Sequence, residues 1–146
     1  MPWTAPPGVS VAANIQAALD FKKTLETLVA NGSIDGTQMV NVEIMYLISQ
    51  FWTRMPQDYK QRGEQYREFG NFNFGAAASA LGIDPETVLQ GAGAASFLNY
   101  LKHRKWDPHG TPWSGPPYGD DPMEQQEITN GISYFNAWQN GCVNYH

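Results

Sequence analysis

Apolar residues that recur at steps of three and four, and not in alternation, constrain this chain more than any other feature. The first such run follows Ser10, a helix-cap residue, and the second follows the turn at Asp35. Two more runs follow Asp84 and Asp121, each of which is an N-cap residue with proline at the next position. This spacing places apolar side chains on one face of a helix. We therefore predict a mainly α fold of about four to five helices.

Two of these runs also predict how the helices pack. Residues 40–52 are largely apolar, which is typical of a helix at the centre of a core. In the third run, Gly91 and Gly93 lack side chains that would hold a neighbour away. We expect another element to pack very closely against that helix.

Two long segments interrupt the helical pattern. Residues 57–75 interleave polar and aromatic residues, and glycines on both sides of the aromatic run favour a compact loop. Residues 105–121 contain seven prolines and glycines, a density that neither a helix nor a strand tolerates. Long ordered loops in small domains are usually functional. The prediction is a compact single domain with two long functional loops.

Length and charge narrow the domain organisation and the partners. The chain has 146 residues, enough for one domain. Residues 1–9 are rich in proline and predict a linker to an upstream delivery module, which leaves residues 10–146 as the functional domain. With 9 Lys and Arg against 14 Asp and Glu, the net charge of −5 gives no field that attracts polyanions. A DNA-coating role is excluded.

The sequence predicts neither a membrane anchor nor a bound cofactor. No stretch reaches the roughly 18 apolar residues of a membrane span, and the start lacks the pattern of a signal peptide. Action outside the producing cell would require export by something else. The single cysteine, Cys142, is expected to be a packing residue. His103, Asp107 and His109 do not have metal-ligand spacing, so we expect no metal.

Carboxylates among aromatic residues and glycines are the strongest candidates for chemistry. Cleavage of a glycosidic bond needs a carboxylic acid with a raised pKa to protonate the leaving oxygen, and a second group to stabilise or attack the cation. Glu68 is flanked by aromatic residues whose contact would raise its pKa. Alternatively, Glu64 and Glu68 lie on an exposed helical face and pair with a nearby basic side chain.

Three aspartates complete this set. Asp121 begins an Asp-Pro-x-Glu signature, which is typical of a helix N-cap with an acidic residue in the first turn. Asp120 is not needed for capping, and we predict that it is the second catalytic carboxylate. Asp58, in the other irregular segment, is a further candidate.

Polar and aromatic side chains in the same two segments are candidates for substrate binding. Flat amphipathic rings stack on sugars, and amides hydrogen-bond to hydroxyl groups, although core packing and loop stabilisation are the alternatives. The candidates are Tyr59, Lys60, Tyr66, Asn71, Asn73, Trp113 and Tyr118.

Three blocks of sequence carry a resemblance to a known family. Residues 58–60 (DYK), 66–76 (YREFGNFNFGA) and 116–122 (PPYGDDP), followed by Gln125, resemble the polymorphic toxin type 44 domain family. The resemblance runs from about residue 9 to residue 134. The chain departs from the family at Gln57, where members tend to have Trp, and at residues 75–78, where they tend to have Gly-Ala-Thr-Gly. The resemblance implies a C-terminal toxin module of a secreted or contact-delivered bacterial protein, with a cognate immunity protein.

Three functions remain open at this point. The leading hypothesis is an antibacterial toxin that hydrolyses the glycan of peptidoglycan like a muramidase, with Glu68 as general acid and Asp120 as second carboxylate, because an acidic domain suits a sugar better than a phosphodiester. The runner-up is a metal-independent ribonuclease with His103 or His109 as the acid/base. Its phosphates would be held by Lys102, Arg104 and Lys105. The third is a non-catalytic carbohydrate-binding module.

Overall fold

The computed structural model describes residues 4–103 and 110–141. Within them the chain forms five α-helices and no strand, which confirms the mainly α fold. The helices are α1 (Val11–Ala30), α2 (Gly36–Phe51), α3 (Arg67–Ala80), α4 (Pro85–His103) and α5 (Pro122–Gln139). Two short 3₁₀ turns, Tyr59–Arg62 and Glu64–Tyr66, lead into α3.

The predicted N-caps are confirmed at the level of hydrogen bonds. The Ser10 side chain accepts from the Ala13 amide, and Asp121 accepts from the amide of Met123. Asp35, which was predicted only as part of a turn, also caps its helix, through a full capping box with the third helical residue. Because these caps satisfy amides that no helical carbonyl can reach, they fix where the helices begin.

The core is built around α3, whereas the sequence predicted α2 at the centre. Phe69, Phe72 and Ala76 of α3 are buried, and the helix packs against both α5 and α1. In α2 the one buried residue is Glu43, which pairs with Lys22 of α1 at 3.1 Å. The prediction for α2 is wrong because the other described residues cover its apolar face only in part.

Close packing of α3 against α5 explains a second correction. Residues 67–75, predicted as part of a compact loop, are the first half of α3. A Cβ atom on Gly75 would collide with the carbonyl oxygen of Ile128, and one on Gly131 with that of Phe72. The glycines are therefore the contact points of two helices and do not break either one.

The second irregular segment matches its prediction over the residues described. Residues 110–121 contain no helix or strand. Tyr118 lies over Gly93 of α4, where a Cβ atom would collide with the Tyr118 carbonyl oxygen, so the predicted close approach occurs at this glycine. Gly91 has open space around it. The loop is thus held against α4 just before α5 begins.

Some sequence-based predictions fall outside the described residues. They concern Cys142, Asp107, His109 and the basic residues Arg104 and Lys105, and the side chains of Lys102 and His103. Of the predicted linker, Ala5 and Val9 pack against the main core cluster. Its connection to an upstream module stays a prediction.

Candidate active site

A cavity of about 450 Å³ opens between α2, α3, α4 and the first turns of α5. Each helix contributes one stripe of side chains at helical spacing, such as Arg67, Asn71 and Phe74 of α3. The lining is partly apolar and partly polar and charged. The polar and charged lining residues include Gln57, Asp58, Tyr59, Lys60, Arg67, Asn71, Thr87, Ser96, Asp120 and Glu124.

Asp120 is the most deeply buried carboxylate of this cavity, with 1% of its surface exposed. Its Oδ1 accepts hydrogen bonds from the Ser96 hydroxyl at 2.7 Å and the Asp121 amide at 2.9 Å. Its Oδ2 accepts from the Gln125 side-chain amide at 2.8 Å. Three neutral donors converge on one carboxylate, an arrangement that satisfies a buried negative charge.

Glu124 lies beside Asp120 because of an incomplete cap at the start of α5. In a capping box, the acid of the first turn accepts from the amide of the N-cap residue. Here the Asp121 amide donates to Asp120 instead, and Glu124 faces the cavity. The Glu124 carboxyl group shares a hydrogen bond with that of Asp120.

The surroundings of Glu124 favour its protonated form. Burial, followed by the charge of Asp120 and the hydrogen bond with it, raises the pKa of Glu124 from 4.5 to about 7. Lys60 and Arg67 act in the opposite direction. The net effect on the pKa of Glu124 is nevertheless upward. The cavity therefore holds a carboxylic acid that keeps its proton near neutral pH.

Arg67 is fixed at the edge of this pair by ion pairs on several sides. Its guanidinium contacts Glu127 of α5 at 3.0 Å and Glu64 at 3.4 Å, and it lies 3.7 Å from Glu124. Asn71, one turn further along α3, donates to Glu127 at 2.8 Å. These contacts hold a positive charge close to Glu124 and tie α3 to α5.

The structure brings five of the sequence candidates to the cavity, namely Asp58, Tyr59, Lys60, Asn71 and Asp120. Four of them have structural contacts, those of Asn71 and Asp120 being given above. Asp58 Oδ2 accepts from the Arg54 amide at 2.9 Å, and that residue has a positive φ of 68°. The Tyr59 hydroxyl accepts from Asn14 at 2.9 Å, and burial raises the pKa of Tyr59.

The remaining candidates lie elsewhere, and Glu68 is the most important of them. Glu68 does not line the cavity, because it follows Arg67 by one residue and so lies about 100° further around α3. Asp121 caps α5, and Tyr66 packs against the main core cluster. Asn73 is fully buried and donates to Gln57 at 2.8 Å.

The two loop candidates have opposite environments. Trp113 is 79% exposed, away from the cavity lining, and Tyr118 is buried with its backbone against α4. Neither side chain lines the cavity.

Four residues of the site were not predicted as such, namely Arg67, Ser96, Glu124 and Gln125. Glu124 was interpreted only as the acidic residue of the capping signature. The available signal was its spacing of four residues from Asp120, across the start of a helix, where two carboxylates approach each other.

Among the residues that the structure describes, no group of three His, Cys, Asp or Glu side chains is placed to hold a metal ion. In the same residues no helix is long and apolar enough to cross a membrane.

Comparison with known families decides what kind of domain carries this cavity. The family model for bacterial toxin 44 matches residues 12–137. The chain belongs to the bacterial toxin 44 family. Neither a curated protein nor a solved structure matches it. Membership confirms the resemblance seen in the sequence and makes the chain a toxin domain, for which a cognate immunity protein and delivery to a target cell are implied.

Proposed function

We propose that this toxin domain is a glycosidase that cleaves the glycan of peptidoglycan, with Glu124 and not Glu68 as the general acid. The observation that carries the proposal is the pKa of Glu124, raised to about 7 inside a cavity of a size suited to a ligand. A general acid works best when its pKa lies near the working pH. Proton transfer from such a group contributes roughly 10²–10⁴-fold to a rate.

The contact between the two carboxyl groups limits which glycosidase mechanism fits. Carboxylates that act from two sides of a sugar lie about 5–9.5 Å apart. Asp120 and Glu124 share a hydrogen bond, so Asp120 is too close to attack the sugar while Glu124 protonates it. Substrate-assisted glycosidases need no second carboxylate of that kind. In them the acetamido group of the sugar itself attacks the anomeric carbon.

The sugars of the peptidoglycan glycan carry such acetamido groups. Glu124 would give its proton to the glycosidic oxygen as the bond between that oxygen and the anomeric carbon breaks. The acetamido oxygen would bond to the anomeric carbon, and the negative charge of Asp120 would stabilise the resulting cation. Water would then attack the anomeric carbon, break its bond to the acetamido oxygen and return one proton to Glu124. Lys60 and Arg67 would stabilise Glu124 while it is ionised.

One observation favours a second candidate function, amide hydrolysis. Two carboxyl groups that share one proton are also the arrangement of aspartic proteases, in which the pair activates water. On this alternative the substrate would be a peptide, such as the stem of peptidoglycan. A ribonuclease has less support within the described residues. It needs cations free to hold phosphates, and the charges of Lys60 and Arg67 are offset by nearby carboxyl groups such as Glu124.

Products distinguish these functions. The domain is incubated separately with purified sacculi and with total RNA, and the products are analysed by mass spectrometry. Glycan cleavage gives muropeptides with new glycan ends, amide cleavage gives new peptide ends, and a ribonuclease gives RNA fragments. We expect glycan cleavage. Asp120→Asn should lose this activity, and Asp121→Asn should retain it, since Asn also caps helices. Binding to sacculi without any product would instead support the carbohydrate-binding module.

A further inference from the structure

Besides its polar groups, the cavity has a large apolar lining. Sugars stack on aromatic rings, whereas branched aliphatic side chains offer only hydrophobic contact. Branched aliphatic side chains line the cavity at six positions and outnumber the four aromatic ones, Phe51, Trp52, Tyr59 and Phe74. The six, which we call the aliphatic wall, come from α2, the residues before α4, α4 itself and α5: Ile44, Leu47, Ile48, Ile83, Val88 and Ile128.

This wall continues to solvent along α2. Ile44, Ile48 and Trp52 line the cavity, yet each keeps about half of its surface exposed, with values of 47%, 50% and 50%. A contiguous apolar face of this kind is costly to leave in water unless something binds it. Because these residues lie inside a concave cavity, a narrow ligand covers them better than a flat protein surface does.

We propose that the aliphatic wall is a subsite for a hydrocarbon chain. The substrate is then an amphiphile whose chain lies along α2 and whose polar head reaches Asp120 and Glu124. At about 450 Å³ the cavity holds roughly fifteen water-sized groups, enough for a substantial part of such a chain. This inference rests on the proposed glycosidase activity only for the identity of the polar head, which would be a sugar. It favours lipid-linked glycan as substrate over glycan in the finished wall.

A fluorescent chain tests the subsite without any reaction. Dansylaminoundecanoic acid, used below its micelle concentration, should bind with a blue shift, and dansylglycine, which lacks the chain, should not. Ile48→Ser removes apolar surface from the cavity wall and should weaken binding about tenfold. Met45→Ser is the matched control on the same helix, since Met45 is 66% exposed and does not line the cavity. Ile44→Ser gives an independent second position and should behave like Ile48→Ser.

The result that overturns the subsite is equal affinity of Ile48→Ser, Ile44→Ser and Met45→Ser, or no binding of the probe at all. Activity separates this failure from failure of the proposed function. Hydrolysis of sacculi without probe binding would leave the glycosidase and remove the subsite. Probe binding without cleavage of sacculi or of a polyprenyl-linked disaccharide would leave the subsite and remove the glycosidase. With both correct, the lipid-linked disaccharide should be cleaved faster than the same disaccharide without its lipid, and Ile48→Ser should remove that difference.

Discussion

Replacing Glu124 with Gln should change the pH dependence of folding stability in a direction set by the carboxyl pair. The pKa of Glu124 is raised in the folded protein, so the folded state binds the proton more tightly than the unfolded chain. The stability that this proton contributes is fully present below about pH 4.5 and is lost as the pH rises through about 7. Gln keeps the shape and a donor for Asp120 but cannot ionise.

The difference between the two proteins follows from the size of the pKa shift. A rise from 4.5 to about 7 corresponds to at most about 3 kcal/mol, and partial exposure of the side chain reduces this to about 1–3 kcal/mol. Glu124→Gln should therefore be more stable than wild type by that amount at pH 8, and about equally stable at pH 4.

Urea denaturation at pH 4, 6 and 8 measures this difference, since groups common to both proteins cancel. The charged groups that face Glu124 are Asp120, Lys60 and Arg67. Asp120→Asn removes the negative charge and should reduce the pH-dependent difference that Glu124→Gln produces. Glu64→Gln is the control, because Glu64 pairs with the same arginine but is 85% exposed. A Glu124→Gln variant that is less stable than wild type at pH 8 would refute the reasoning.

Four further predictions concern the packing, the cap and the acid. Gly131→Ala should destabilise the fold by about 1–3 kcal/mol or more in urea denaturation, because its Cβ collides with the α3 backbone. Gly91→Ala, which lies in open space, should stabilise the fold by about 0.5–1 kcal/mol. Equal effects of the two variants would contradict the close contact between α3 and α5. Asn73→Ala should cost about 1–3 kcal/mol, since it leaves buried partners without a hydrogen bond, and a neutral result would contradict this network. Asp121→Ala should cost about 1 kcal/mol with activity retained; lost activity would show that Asp121 is more than a cap. The rate on glycan should fall as the pH rises through about 7, and an unchanged rate to pH 9 would exclude Glu124 as the acid.

Local signals predicted the helix ends well because each depends on a few neighbouring residues. Ser10, Asp84 and Asp121 accept hydrogen bonds from backbone amides two or three residues ahead, so residue type and position are enough to identify them. The same local signal distinguishes Asp121, the cap, from Asp120, which lies in the cavity.

Tertiary contact decided the features that the sequence could not predict. From the sequence alone, Gly75 resembles a loop residue. Only the fold shows that Gly75 and Gly131 are the positions where α3 and α5 pack too closely for a side chain. Because residues 67–75 were predicted as a loop, helical periodicity could not be used there. That periodicity places Arg67 and Glu68 on different faces of α3, with only Arg67 in the cavity. The position of α2 was likewise not predictable, because an apolar face is equally suited to a core and to a ligand.

The most direct test of the central claim is the kcat/KM for glycan hydrolysis of Glu124→Gln compared with that of Glu68→Gln. Both substitutions remove one transferable proton and keep the shape of the side chain. If Glu124 is the general acid, Glu124→Gln should lose roughly 10²–10⁴-fold, and Glu68→Gln, outside the cavity lining, should stay within about twofold of wild type. Full activity in Glu124→Gln, or a large loss in Glu68→Gln, would contradict the assignment.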